Sequence, residues 1–103
     1  MAVQLNWSNQ AREDLLTIYV TIGLDNPTAA EDYYDRLERR ANQLVLQPRM
    51  GPRRSDIRSG VRMLVEAPYV ILYETLPDTD TGPVDIVEIV RVADSRRDLL
   101  NLF

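Results

Sequence analysis

Two helix signals separated by four residues constrain this chain most. "NQAREDLLTIYVTI", residues 9–22, places Ala11, Leu15, Ile18 with Tyr19, and Ile22 at spacings of three and four, the repeat of one helical face. After "GLDN", residues 23–26, the stretch "TAAEDYYDRLERRANQLVL" repeats the pattern with Ala30, Tyr34, Leu37, Ala41 and Leu44, and its Glu, Asp and Arg residues form a solvated face. Ser8 is placed to cap the first helix and Gly23 to terminate it. Asn26 caps the second, and Pro27 takes the first helical position, where a missing N–H costs nothing. Pro48 ends that helix, with Leu46 near its last turn. So short a link predicts an antiparallel hairpin, and a hairpin cannot bury both stripes by itself.

The rest of the chain supplies the surface to bury them. "VQLNW", residues 3–7, alternates Val3, Leu5 and Trp7 with Gln4 and Asn6, the period of a strand with one buried face. "RMLVEA" (62–67), "YVILYETL" (69–76) and "VDIVEIVRV" (84–92) are three more strands, separated by Pro68 and the polar turn "PDTDTG" (77–82). The prediction is one α+β domain over residues 1–103. It has an N-terminal strand and an antiparallel helical hairpin packed as one layer pair on a small, mainly antiparallel sheet, in the order β-α-α-β-β-β. In "SRRDLLNLF", Ser95 lies three residues before Asp98, a capping-box spacing, and Leu99, Leu102 and Phe103 predict a short C-terminal helix.

Composition removes whole classes of chemistry. Among 103 residues there is no cysteine, no histidine and no lysine; all 12 basic residues are arginine. Disulfides, thiolate nucleophiles, Ser-His-Asp hydrolysis, Schiff bases and a P-loop lysine are thereby excluded. The only side-chain metal ligands left are scattered carboxylates, and Gly23, Gly51, Gly60 and Gly82 stand too far apart for a phosphate loop. No cofactor or metal is expected. No stretch approaches the roughly 18 apolar residues of a membrane span, and "MAVQLNWSNQ" lacks the basic-then-apolar pattern of a secretory signal, so a cytoplasmic protein with no membrane partner is expected.

Charge is unevenly distributed. The chain carries a formal net charge of -4, yet Arg49, Arg53, Arg54, Arg58 and Arg62 lie within 14 residues beside a single acid, Asp56. The first four lie in the long connection "QPRMGPRRSDIRSG", and connections of this kind run over the surface and often bind. Arg62 stands apart because it directly precedes Met63 and Leu64 and is held by a strand; its planar fork of donors suits a carboxylate or phosphate. A negative molecule with one basic patch gains only weak non-specific attraction to nucleic acid, so an acidic protein segment fits better than direct sequence-specific nucleic-acid binding. Tyr69 and Tyr73 share one parity in their strand with Ile71, a face fit either for packing or for a partner.

These residues resemble a known pattern. Trp7-Ser8, Ala11, Asp14-Leu15, Ile18 and Tyr19; Pro27 with Ala29-Ala30; Leu37, Leu44, Pro48 and Gly51; Arg62 with Leu64; Tyr69 with Ile71 and Tyr73; and "VEIVRVADSRRD" are together similar to the ParE branch of the RelE/ParE toxin superfamily. The resemblance implies a bacterial toxin of a type II toxin-antitoxin pair, held harmless in a hetero-oligomer by a ParD-like antitoxin whose C-terminal segment wraps over helices and sheet. It implies DNA gyrase as the target, inhibited by binding. The surface expected to meet target or antitoxin comprises Arg53, Arg54, Arg58, Arg62, Tyr69, Tyr73, Arg91, Arg96, Arg97, Leu102 and Phe103, with no catalytic residue among them. The sibling RelE branch cleaves messenger RNA on the ribosome with basic residues and, in many members, a tyrosine near the C-terminus. Here the last tyrosine is Tyr73, the tail "DLLNLF" has no phenol, and Asp94 stands where many members have histidine. A ribosome-dependent endoribonuclease and a non-toxic degenerate member are the alternatives.

Overall fold

The computed structural model describes residues 2–103. Strand β1 spans Gln4–Trp7, helix α1 Asn9–Gly23 and helix α2 Pro27–Asn42, followed by one 3-10 turn, Gln43–Val45. Strands β2 (Arg62–Glu66), β3 (Tyr69–Leu76) and β4 (Ile86–Asp94) complete the sheet, and a second 3-10 turn covers Leu99–Asn101. The order β-α-α-β-β-β is the one that the sequence predicts. Both helix starts are capped as expected: Ser8 Oγ accepts from Ala11 N and Asn26 Oδ1 from Ala29 N, each at 3.0 Å, with Pro27 at the first helical position.

Helix α1 runs through Gly23 and does not stop before it, since Leu24 N still donates to Val20 O at 3.1 Å. The capping box at Ser95 does not form, and in place of a C-terminal helix there is a single 3-10 turn, with Asn101 Nδ2 bonded to Asp98 Oδ2. Nine residues with four apolar side chains are too few to sustain an isolated helix.

Strand order is β1-β4-β3-β2. β4 pairs with β3, and β3 with β2, in antiparallel fashion, whereas β1 pairs with β4 in parallel, Gln4 opposite Ile86 and Trp7 opposite Ile89. The helical hairpin is the crossover that makes a parallel pairing possible. Register shifts between Leu72 and Tyr73, which face Arg91 and Ile89, so Val90 is an extra residue in β4.

Each face of the sheet is covered. Ala11, Leu15, Leu37, Ala41 and Leu44 of the helical side pack on Leu64, Ile71, Tyr73, Val87, Ile89 and Val92. On the reverse, Ile57 and Val61 of the connection and Leu102 of the tail pack on Val70, Leu72, Val90 and Ala93. The expected layer pair is therefore three layers, the third made of irregular chain. No helix among the described residues is long and apolar enough to cross a membrane.

Candidate functional site

The arginine-rich connection is built into the fold. Beyond Gly51, which is buried, residues 52–54 run along the outer edge of β2: Met63 N donates to Pro52 O at 3.0 Å, Arg54 N to Val61 O at 2.8 Å, and Arg53 bridges Arg62. The next turn sends Ile57 and Val61 under the sheet, both buried. Two apolar anchors and an edge pairing leave this loop little freedom.

Most of its guanidinium groups have internal partners. Arg49 donates to Thr79 O at 2.8 Å, to Thr81 O at 3.1 Å and to Gly82 O at 2.9 Å. Arg53 grips Asp78 and Asp80, Arg54 pairs with Asp56, and Arg58 pairs with Glu74 while lying 4.0 Å over the Phe103 ring. The patch of positive charge in the sequence is thus offset in space by acids from β3 and from the β3–β4 turn. Pairs with such exposed members contribute little to stability, but they remove free cations from the surface.

Of the residues expected on a binding surface, three belong to the interior instead and a fourth, Arg91, is half-buried. Arg62 is 6% exposed and donates through Nη1 to Gly51 O at 2.9 Å. Tyr73 is fully buried; its hydroxyl accepts from Gly51 N at 2.9 Å, and burial pushes the phenol up. Leu102 is packed in the reverse core. Arg91 lies against α1, with Nε 2.8 Å from Asp14 Oδ2 and Nη2 3.1 Å from Asp14 Oδ1, while its Nη1 donates to Leu102 O at 2.9 Å.

The physical reason for this last arrangement lies at the sheet edge. β1 ends at Trp7, leaving the rest of β4 without a strand partner on that side, and α1 with its cap fills the gap: Ser8 N donates to Ile89 O, Ser8 Oγ to Val90 O, and Asp14 Oδ2 accepts from Val92 N. The bulge at Val90 aims Arg91 at the same carboxylate.

Arg96, Arg97 and Phe103 are exposed. Arg96 pairs with Asp94, whose carboxyl is pulled to about 2 by the Arg96 side chain and backbone N–H. Among the described residues Arg97 has no ion-pair partner. Tyr69 is half-buried, edge-on to Tyr33 at 5.6 Å, and its phenol is raised by burial and by Asp94.

A different surface stands open. Leu16 (60% exposed), Tyr19, Val20 and Leu24 form an apolar stripe on the outside of α1 that the core does not use. Between α1 and α2 lie two adjoining cavities, one of about 200 Å³ reaching Trp7 and Leu15, the other of about 430 Å³ reaching Tyr19; both are lined by Leu16 and Tyr34. Tyr19 and Tyr34 meet edge to face at 5.7 Å. Glu31, Asp35 and Glu38 of α2 supply the acidic rim, and among the described residues Arg12 is the one cation lining either cavity. Contiguous exposed apolar surface with a polar rim marks an interaction site.

The signal was present in the sequence. Residues 15–24 are apolar beyond the single inward stripe, with Leu15-Leu16 and Ile18-Tyr19-Val20 as neighbours pointing different ways, and a helix apolar on more than one face has a second surface to cover.

Comparison with known proteins gives one family. Residues 5–99 match the family described as "ParE toxin of type II toxin-antitoxin system, parDE". Ten chains of solved structures are similar; one comes from the chromosomal ParDE toxin-antitoxin system of P. aeruginosa, with a TM-score of 0.71, 22% identity, and coverage of 89% of this chain and 95% of that one. No curated protein matches.

Proposed function

The chain belongs to the ParE toxin family of type II toxin-antitoxin systems, and from that premise we propose that it is a cytoplasmic toxin neutralised by a ParD-like antitoxin seated on α1 and α2, and that, when released, it inhibits DNA gyrase by binding. The observation that carries the antitoxin reading is the open groove: Leu16, Tyr19, Val20 and Leu24 are exposed beside cavities that none of the described residues fills. An antitoxin segment that orders as it binds would cover this stripe and form a hetero-oligomer with the toxin. With Glu31, Asp35 and Glu38 along the rim, the complementary segment is apolar with basic flanks. An acidic tail aimed at Arg53, Arg54 and Arg58 would have to displace the carboxylates they already face, Asp56, Glu74, Asp78 and Asp80.

For the target, the exposed groups that remain from the expected surface are Arg96, Arg97 and the Arg58–Phe103 stack. Charged rim groups of this kind give orientation and association rate.

The test is induction in a bacterial host with and without the cognate antitoxin, reading growth, DNA damage response and transcript cleavage together, beside a gyrase supercoiling assay with the purified protein. Growth arrest with DNA damage, relieved by the antitoxin, and loss of supercoiling activity are the expected results. Codon-positioned transcript cuts with supercoiling untouched would replace gyrase by the ribosome; unchanged growth would identify a non-toxic member.

A further inference from the structure

We propose that the space between Arg53 and Arg62 is a carboxylate subsite, filled in the isolated chain by the side chain of Asp80 and able to take an acidic side chain from a protein partner in its place. Arg62 carries the first observation. Its side chain is only 7% exposed, yet Nε has no hydrogen-bond partner and Nη2 lies 3.7 Å from Asp80 Oδ1, beyond hydrogen-bond length. What Arg62 does bond is neutral: through Nη1 it reaches the carbonyls of Gly51 and Arg49. A buried cation without a close counter-ion is costly unless something supplies one.

The second observation is how the cradle is held. Asp80 Oδ1 receives Nε and Nη2 of Arg53 at 3.2 and 3.1 Å, but the Asp80 side chain is 81% exposed, so its place is open to solvent. Removal of that carboxylate leaves both cations in position. Arg53 stays oriented by Asp78, 2.8 Å from its Nη1, and Arg62 by Gly51 O. The turn is pinned independently by Arg49, which bonds Thr79 on one side of Asp80 and Thr81 and Gly82 on the other. The Nε–Nη2 fork of Arg53 and Nη2 of Arg62 converge on one solvent-reachable point and form a preorganised oxyanion receptor, and its present occupant shows that a carboxylate fits. Its chemistry is opposite to that of the acid-rimmed groove, so it addresses a different acidic segment from the basic one that the groove suits.

The experiment frees the site and measures what enters. Asp80→Asn and Asp80→Ser are compared with the wild type for binding of a hexaglutamate peptide by calorimetry at low salt. Asp85→Asn, which makes the same change in net charge in an exposed residue with no ion pair among the described residues, is the electrostatic control. Both Asp80 variants are expected to bind at least tenfold more tightly than the wild type, Asp85→Asn to behave as the wild type, and Arg53→Gln added to Asp80→Asn to abolish the gain. Arg62 is left intact because it is buried. An equal gain in Asp85→Asn, no gain in either Asp80 variant, or a gain that survives Arg53→Gln overturns the proposal. So does displacement of the peptide by an equal concentration of inorganic phosphate, which would make the site one for phosphate.

Discussion

Arg62 and Tyr73, opposite each other across β2 and β3, hold one residue between them: the phenol of Tyr73 accepts the Gly51 N–H and the guanidinium of Arg62 donates to the Gly51 carbonyl, each at 2.9 Å. The clamp fixes where the connection from α2 enters the sheet, and with it the placement of Arg49, Arg53 and Arg54. It also explains why Gly51 lacks a side chain. A Cβ there would lie 2.6 Å from Met63 O and 2.8 Å from the Tyr73 hydroxyl oxygen, and the first of these is backbone.

Gly51→Ala is therefore expected to destabilise the protein by about 1–3 kcal/mol, the usual range for overpacking a tight site. Urea denaturation followed by circular dichroism measures it. Tyr73→Phe, which leaves the buried Gly51 N–H without its acceptor, belongs in the same experiment, with an expected loss of about 1–3 kcal/mol.

Stability should fall in acid through Asp14. Burial alone would raise its carboxyl, but the bonds from the Arg91 side chain, Val92 N–H and Gln10 outweigh burial and hold it below its ordinary 3.8. A group depressed in the folded state contributes stability that is complete above its unfolded value and is lost as pH falls through the folded one. The denaturation midpoint should accordingly drop below about pH 4. Asp14→Asn should be less stable at pH 7 and show a shallower acid decline. The Asp94–Arg96 pair titrates with the same sign but is exposed and should matter little.

Leu16→Glu with Val20→Glu should separate folding from partner binding. Both side chains are more than half exposed, so the melting curve should move by no more than about 0.5 kcal/mol. Affinity for the antitoxin should fall by about 2 kcal/mol or more, as for a central interface anchor. Titration calorimetry reads the affinity, and failure of the antitoxin to rescue growth reads its consequence.

Arg97→Glu tests the target surface. Its guanidinium is exposed and has no ion-pair partner among the described residues, so the fold should be unaffected, while the concentration for half-inhibition of gyrase should rise at least about tenfold, the effect of 1.4 kcal/mol. Arg96→Glu, which also breaks the pair with Asp94, should act in the same direction. A supercoiling assay with both variants decides.

The elements were legible because their signals are local. Ser8 and Asn26-Pro27 mark helix starts, the spacings of Ala11 to Ile22 and Ala30 to Leu44 mark faces, and the alternation in "YVILYETL" marks a strand; each depends on neighbours within a few positions. The family pattern was legible for the same reason, being a spacing of such residues.

Side-chain partners were not legible. Arg62 and Asp80, Arg91 and Asp14, and Tyr73 and Gly51 are 18, 77 and 22 residues apart, and a single register step in a strand moves each side chain to the other face. From sequence, an arginine-rich segment with one acid is a basic surface; in space it meets Glu74, Asp78 and Asp80 and is offset.

The order of elements, the hairpin, the exclusion of histidine, cysteine and lysine chemistry, and the likeness to the ParE family follow from short-range pattern and composition, and so were readable residue by residue. Which charges remain free and which apolar side chains remain uncovered is settled by the folded chain. Both depend on pairing across the sheet, on the bulge at Val90 and on the irregular third layer, where burial is set by residues far apart in the chain.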